Sequence, residues 1–247
     1  MKNDVDTLVP GRKPVRELVL DRPENVDQVF ALKGRKVPEV EEILGLCRKA
    51  GIRYSLVPKT MLDKLHANHQ GVAARLLSFS LVEEKDFFGM IREAPLPMAL
   101  ALDQVQDPGN VGALVRSLYG LGGAGIMVPR HNSAHLGAGA HKASAGTLAR
   151  TPVCRVKNLA ESLDRASDQG ITMYGAQADD DAEDGLVFTP KFPAILVLGN
   201  EEKGIRPKVL DRCGVKLGIP MLRNLDSFNV AQAGAMLMSR ILQAYRS

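Results

Sequence analysis

The chain has 247 residues, 45% of them hydrophobic and 24% charged, the balance of an ordinary globular protein, which excludes a disordered, collagen-like or fibrous chain. Lysine and arginine number 32 against 28 acids, and the resulting +4 permits a polyanionic partner without demanding one, because no long basic block exists. No run approaches about eighteen consecutive apolar residues, which excludes a membrane-spanning helix, and MKNDVDTLVPGRKP has acids and no apolar core, so no secretory signal is expected.

In chain order, the apolar spacing predicts a small α/β unit over roughly the first 80 residues. Pro14–Leu20 reads as a helix and Val26–Leu32 as a strand. Val37–Ala50 reads as a helix with Val40, Ile43, Leu44 and Cys47 on one face, ended by Gly51. A strand at Ile52–Val57, a short helix at Thr60–His66 and a further strand within Gly71–Val82 complete it. The charges of Glu83–Pro97, with Gly89, Pro95 and Pro97, read as a linker that docks Phe87 and Phe88 on a neighbour. The expected division is therefore 1–83, a linker at 84–97, and a second domain at 98–247.

From Met98 a βα alternation begins, the signature of a parallel α/β sheet. Strands are expected at Met98–Leu102, Gly125–Val128, Ile171–Ala176, Ala194–Leu198 and Val215–Ile219. Helices are expected at Val111–Leu121, Ala140–Ala149, Leu159–Asp168, Arg206–Arg212 and Asn229–Tyr245. Asn158 followed by Glu161 has the spacing of a capping box. The last helix is nearly apolar throughout, so it is buried against something, a second subunit included. The acidic cluster from Asp179 to Asp184 reads as a solvated loop.

Several motif-like features have plainer readings. GLGGAG at 120–125 matches a dinucleotide fingerprint by letter, but it follows a helix and leads into a strand, so it reads as a helix C-cap and turn. His131 and His135 have helical spacing but no third ligand, and the three cysteines (Cys47, Cys154 and Cys213) are too dispersed for a disulfide framework or a zinc set. No metal is expected, and the cysteine usage suits a reducing cytoplasm. With no tryptophan and 4% aromatics, nucleic-acid contacts by base-stacking platforms are not expected.

Three segments place polar, turn-forming residues directly after apolar strands, where open α/β sheets bind ligands. They are DPGNVGALVR at 107–116, LVLGNEEKG at 196–204, and IPM at 219–221 followed five residues later by SFNV at 227–230. Singly, each has a bland alternative: Asn110 and Ser227 as helix caps, Glu201 as a surface carboxylate. Together, in this order and spacing, they closely resemble the motifs of the SpoU (TrmH) family of RNA 2′-O-ribose methyltransferases. The segment HKASAG at 141–146 and the TPVCRV after it resemble the family's connector, so the likeness covers essentially all of 98–247. The N-terminal unit resembles the L30e-like RNA substrate-binding domain of the branch that methylates guanosine in 23S rRNA, through HQGVAAR at 69–75.

The resemblance implies a SPOUT-type knotted parallel-sheet methyltransferase domain with a C-terminal trefoil knot, preceded by a small L30e-like α/β domain. It implies S-adenosylmethionine as methyl donor, an RNA substrate with rRNA foremost and tRNA as the alternative, and a homodimer formed through the knotted domain. It places Asn110, Arg116, Glu201, Ser227 and Asn229 in the catalytic set. The cofactor would lie against Gly199, Ile219, Phe228 and Met221, with Ala176 and Gln177 at the end of another strand. Arg116 is either the proton acceptor or a clamp on the neighbouring phosphate; a guanidinium holds its proton to roughly pH 13, which favours the clamp. Three positions depart from the family pattern: Glu202 and Arg223 stand where glycine is usual, and Phe228 where leucine is. The competing class is an RNA-binding relative without catalysis.

Overall fold

Short apolar runs and amphipathic helices build two units, Met1–Ser78 and Phe79–Ser247. The structure is a computed structural model and describes residues 8–34, 37–76, 79–177, 182–223 and 227–247.

The first unit contains β1 (Leu8–Pro10), α1 (Arg12–Asp21), β2 (Val26–Leu32), α2 (Pro38–Ala50), β3 (Tyr54–Val57), α3 (Lys59–Leu65) and β4 (Val72–Leu76). Its sheet runs β1-β4-β2-β3, with β2 and β3 parallel and the other pairs antiparallel. The predicted apolar face of α2 is the buried one: Val40, Ile43, Leu44 and Cys47 pack with Val15 and Val19 of α1 over β2 and β4. Gly51 caps α2 in the left-handed conformation, at φ 69°. His69, nearly buried, accepts the Gly71 amide at Nδ1, 2.8 Å away, which leaves its Nε2 proton for Asp63, 3.0 Å away. That clasp fixes the turn from α3 into β4 and accounts for a histidine in HQGVAAR without any chemistry.

The second unit contains β5 (Leu81–Val82), α4 (Glu84–Glu93), β6 (Met98–Asp103), α5 (Pro108–Leu121), β7 (Ile126–Pro129), α6 (Ala138–Ala143), β8 (Val153–Val156) and α7 (Leu159–Asp168). After these come β9 (Thr172–Ala176), β10 (Glu183–Asp184), β11 (Ala194–Gly199), α8 (Pro207–Leu210), β12 (Val215–Gly218) and α9 (Val230–Arg246). Eight strands form one sheet, β10-β12-β9-β11-β6-β7-β8-β5, and every pair in it is parallel. Strands β6 and β11 lie at its centre and are buried on both faces, which is why each reads as a continuous apolar run. No helix among the described residues is long and apolar enough to cross a membrane.

Several expectations change. The segment read as a linker is α4, and the units part after Ser78 rather than at 83. Phe87, Phe88 and Ile91 line up on one side of α4 and belong to the core of the second unit, while Glu84 and Asp86 sit at its positive end. Pro95 and Pro97 mark its end, and Gly89 interrupts nothing. VCRV, taken as connector, is strand β8. The helix expected over Ala140–Ala149 stops at Ala143, because the Ser144 hydroxyl donates to His141 O and accepts from Leu148 N, substituting for helical bonds, and a short 3-10 turn follows at Thr147–Arg150. The helix expected over Arg206–Arg212 covers only Pro207–Leu210. Of the acidic cluster, Asp179, Asp180 and Asp181 lie outside the described residues, whereas Glu183 and Asp184 pair with Leu217 and Gly218 as β10. The GLGGAG glycines do cap α5, with Gly122 at φ 87° bonding back to Leu118 O and Tyr119 O. Asn158 caps α7 through Ala160 N, but Glu161 accepts from the Asn158 side-chain amide at 2.7 Å rather than from its backbone.

Glu84 ties α4 to α7. It accepts from Ser162 Oγ at 2.8 Å and from the Arg165 guanidinium, and that guanidinium holds its carboxyl below the usual carboxylate range. A depressed folded-state value means that the contribution is complete above the unfolded value near 4.5 and fades as pH falls through the lower folded one. Glu84→Gln is expected to lower Tm by about 2–4 °C at neutral pH, the reading of about 1 kcal/mol in a chain of this size. The gap between variant and parent should narrow in thermal melts as pH is lowered from 4.5 through the depressed folded-state value, and a gap independent of pH would refute the assignment.

Candidate active site

Strands β6 and β11 are neighbours in register, Leu102 opposite Leu198 and Asp103 opposite Gly199, so their loops leave the sheet at one level. From there the chain goes opposite ways: β6 leads to β7 on one side, and β11 neighbours β9 on the other. This is the topological switch point at which open parallel sheets form a crevice.

The loop after β11 is a tight turn. Asn200 N donates to Gly204 O at 3.0 Å and Gly204 N returns to Asn200 O at 2.9 Å. The Asn200 side chain accepts from Glu202 N and Lys203 N and donates to Gln104 O at 3.0 Å, joining this turn to the loop after β6. Gly199 must lack a side chain, because a Cβ there would meet the backbone of Gly204 and Ile205 at 2.2 Å. Its glycine character thus answers to the turn folding back on the strand. Asp103, fully buried, grips the far end of the turn: it accepts from Arg206 N at 2.8 Å and from the Arg206 guanidinium at 2.6 and 2.9 Å.

On the β6 side, helix α5 starts three residues earlier than its apolar pattern suggests. Asp107 is the N-cap, accepting from Asn110 N at 2.7 Å, and Pro108 occupies the first turn. Asn110 therefore stands inside the helix with its side chain unspent on capping. Its Nδ2 donates to Glu201 Oε1 at 2.8 Å, and its Oδ1 accepts from Asn229 Nδ2 at 3.0 Å. Asn229 in turn caps α9, accepting from Ala231 N and Gln232 N. The caps of these two helices are thus Asp107 and Asn229, and the bland reading of Asn110 and Ser227 as caps does not hold. Asn229, Asn110 and Glu201 form one relay, with the carboxylate able to accept at its end.

Beside the relay lies a cavity of about 450 Å³, within the range of small-molecule sites. The ends of β9, β11 and β12 and the first turns of α9 enclose it. Ala176, Gln177, Gly199, Ile219, Met221 and Phe228, the six residues expected at a cofactor, all line it, with Leu198, Leu217 and Leu237 as further apolar wall. Glu201 and Ser227 sit at its edge, as does exposed Glu202.

Arg116 is not brought to this cluster. It is exposed on α5 and has no hydrogen-bond or ionic partner among the described residues. Six residues after Asn110, it points about 120° away around the helix. Arg223 is also exposed, and lines neither the cavity nor the relay. All three cysteines are buried, which pushes the Cys47 thiol up to about 11 and those of Cys154 and Cys213 up to about 12, so they stay neutral and poorly nucleophilic at pH 7. Sequence reasoning missed Asp107, Asn200 and the Asp103–Arg206 pair. Asp-Pro at a helix start was a usable signal for Asp107, and a single acid closing an otherwise apolar strand was one for Asp103.

Residues 97–239 match the model of the SpoU rRNA Methylase family, and residues 8–80 match the model for RNA 2′-O ribose methyltransferase substrate binding. The chain is 32% identical, over its whole length and 79% of the relative's, to an uncharacterized tRNA/rRNA methyltransferase of Mycolicibacterium vanbaalenii. It is 31% identical, over 96% of both chains, to a Staphylococcus aureus protein assigned to the TrmH family of tRNA/rRNA methyltransferases. Among solved structures, an RNA methyltransferase assigned to the TrmH family from Porphyromonas gingivalis aligns over 98% of this chain and 90% of its own, with 26% identity and a TM-score of 0.56. The SpoU methyltransferase AviRb of Streptomyces viridochromogenes, solved with AdoMet, shares the fold with a TM-score of 0.60 at 22% identity, over 97% of this chain and 90% of its own.

Proposed function

The chain belongs to the SpoU rRNA methylase family of RNA methyltransferases, with a substrate-binding unit ahead of the methylase domain, and on that premise we propose that it methylates the 2′-hydroxyl of a guanosine in large-subunit rRNA in the cytoplasm. The observation that carries this reading is the relay from Asn229 through Asn110 to Glu201 at the edge of the 450 Å³ cavity. The match of residues 8–80 to a substrate-binding model for 2′-O ribose methyltransferases supports the ribose as the acceptor.

The cavity suits S-adenosylmethionine: its apolar walls fit an adenosine, its edge offers Gln177 and the backbone of the 199–204 turn, and the carboxylates of Glu201 and Glu202 oppose a cationic ligand. When bound, the donor supplies a sulfonium-activated methyl group to the ribose oxygen. The protein's task is then to orient the hydroxyl and ease the loss of its proton. Glu201 and Asn229 pin both ends of the Asn110 amide, so that amide presents fixed polar atoms to the ribose, and Ser227 faces the same edge. Arg116, unpaired on its helix, clamps the phosphate next to the reacting ribose and offsets the developing negative charge on its oxygen.

The same reading includes the C-terminal trefoil knot and a homodimer. Helix α9 packs on α5 and β11 through Gly234, Leu237, Met238 and Ile241, yet leaves Met236, Leu242 and Tyr245 partly exposed, and Tyr119 of α5 is 40% exposed. Light scattering at micromolar concentration is expected to give twice the monomer mass, and a monomer would refute the dimer.

The deciding experiment is tritiated methyl transfer to undermethylated total RNA, followed by separation of large rRNA, small rRNA and tRNA. Label mapped to a ribose in large rRNA is the expected result. Label in tRNA keeps the chemistry and overturns the substrate. No label in any fraction, together with no binding of S-adenosylmethionine by calorimetry, would identify an RNA-binding relative without catalysis.

A further inference from the structure

The 200–206 turn has two sides. One faces the cavity described above, and the other, through Arg206, Pro207 and Lys208, walls a second cavity of about 870 Å³ beyond the ends of β7 and β8. Four cations line it (Lys157, Arg206, Lys208 and Arg212) against a single carboxylate, Glu161, which already accepts from the Asn158 amide. In a chain whose charges nearly cancel, 32 against 28, this is a local excess.

The four differ in how they are held. Arg206 is fixed on Asp103, and Arg212 on Asp164 at 3.1 Å and on Lys208 O at 2.9 Å. Both guanidiniums keep N–H groups to spare. Lys157 and Lys208 are exposed and have no carboxylate partner among the described residues. Two planar donors in set positions beside two free ammonium groups suit a phosphodiester, which accepts in a fork and adds a diffuse negative charge. The cavity wall also holds two non-glycine residues in the left-handed region, Gln104 at φ 61° and Asn132 at φ 55°, a strain that collects at ligand sites. Gln104 O is the acceptor for Asn200 Nδ2, so the two cavities share one hydrogen-bonded partition.

Building on the function proposed above, we propose that this second cavity seats a backbone phosphate of the RNA strand next to the nucleotide being modified, with Lys157 and Lys208 as its ionic contacts and Arg206 and Arg212 as its positioning donors. Such a contact sets the position of the strand without reading its sequence. It also makes the turn that borders the cofactor cavity part of the RNA surface.

The test compares the parent with Lys157→Ala/Lys208→Ala by fluorescence anisotropy, using a fluorescein-labelled single-stranded RNA of mixed sequence across a range of KCl concentrations. The double variant is expected to bind about tenfold more weakly at moderate salt, and the slope of log K against log salt should shrink by about 0.7, the share of one phosphate on a single strand. Affinity for S-adenosylmethionine should be unchanged, and Lys157→Arg/Lys208→Arg should restore the slope. Lys85→Ala/Lys191→Ala, at exposed positions outside the cavity, should match the parent. Parent-like affinity and slope in Lys157→Ala/Lys208→Ala would overturn the proposal. So would ATP binding lost in that variant with RNA binding intact, which would give the cavity to a mononucleotide. If the parent binds RNA through these lysines but transfers no methyl group, the methyltransferase reading fails and this site stands.

Discussion

Arg116→Ala is expected to bind S-adenosylmethionine as the parent does and to lose about 10²–10³-fold in methyl transfer, the usual result of removing one donor to a developing oxyanion. The separation of the two effects follows from position: Arg116 is exposed on α5, lines neither cavity and braces no other side chain among the described residues. Its removal therefore leaves the fold and the walls of both cavities alone. Arg116→Lys keeps the charge but not the planar fork, and should recover only part of the rate if the guanidinium grips phosphate bidentately. Single-turnover rates set beside calorimetric cofactor affinities check this. Equal rates for Arg116→Ala and parent would remove Arg116 from the mechanism.

The second large effect concerns stability. Arg206→Met is expected to cost about 2–3 kcal/mol and to lower Tm by roughly 5–10 °C, because it strands the fully buried Asp103 carboxylate without its partner. The cost lies below the range for wholly buried pairs because the Arg206 side chain is itself 45% exposed. The same change unpins one end of the 200–206 turn, so cofactor affinity should fall as well. Asp103→Asn combined with Arg206→Met removes the stranded charge and should recover part of the lost stability. Calorimetric melts of the three variants give the answer, and an unchanged Tm for Arg206→Met would show that the pair carries no weight.

What the sequence disclosed and what it hid follow a physical division. Strands β6 and β11 were legible because a parallel strand covered on both faces is apolar without interruption. Helix α2 was legible because its apolar face keeps the helical period and Gly51 stops it. Helix α4 was not, because Gly89, the flanking prolines and many charges imitate a linker, while its case for a helix rests on Phe87, Phe88 and Ile91 meeting a core assembled far along the chain. The six positions that the resemblance gave to a cofactor, far apart in the chain, all line one cavity. The relay could not be read as contacts, since Asn110 lies 91 positions from Glu201 and 119 from Asn229. The Asp103–Arg206 clamp, spanning 103 positions, was hidden for the same reason. The resemblance grouped Arg116 with the relay, whereas within one chain it stands apart.

The relay also bears on how the protein is made. Its three members come from the first turn of α5, the turn after β11 and the cap of α9, and the cavity is closed by α9 as far as Leu237. A ribosome that has delivered β6 through β11 has therefore produced most of the sheet but neither a complete relay nor a closed pocket. Nascent chains cut short before α9 should be silent toward both methyl donor and RNA ribose. Activity is thus a late and faithful reporter that α9 has been made and has docked.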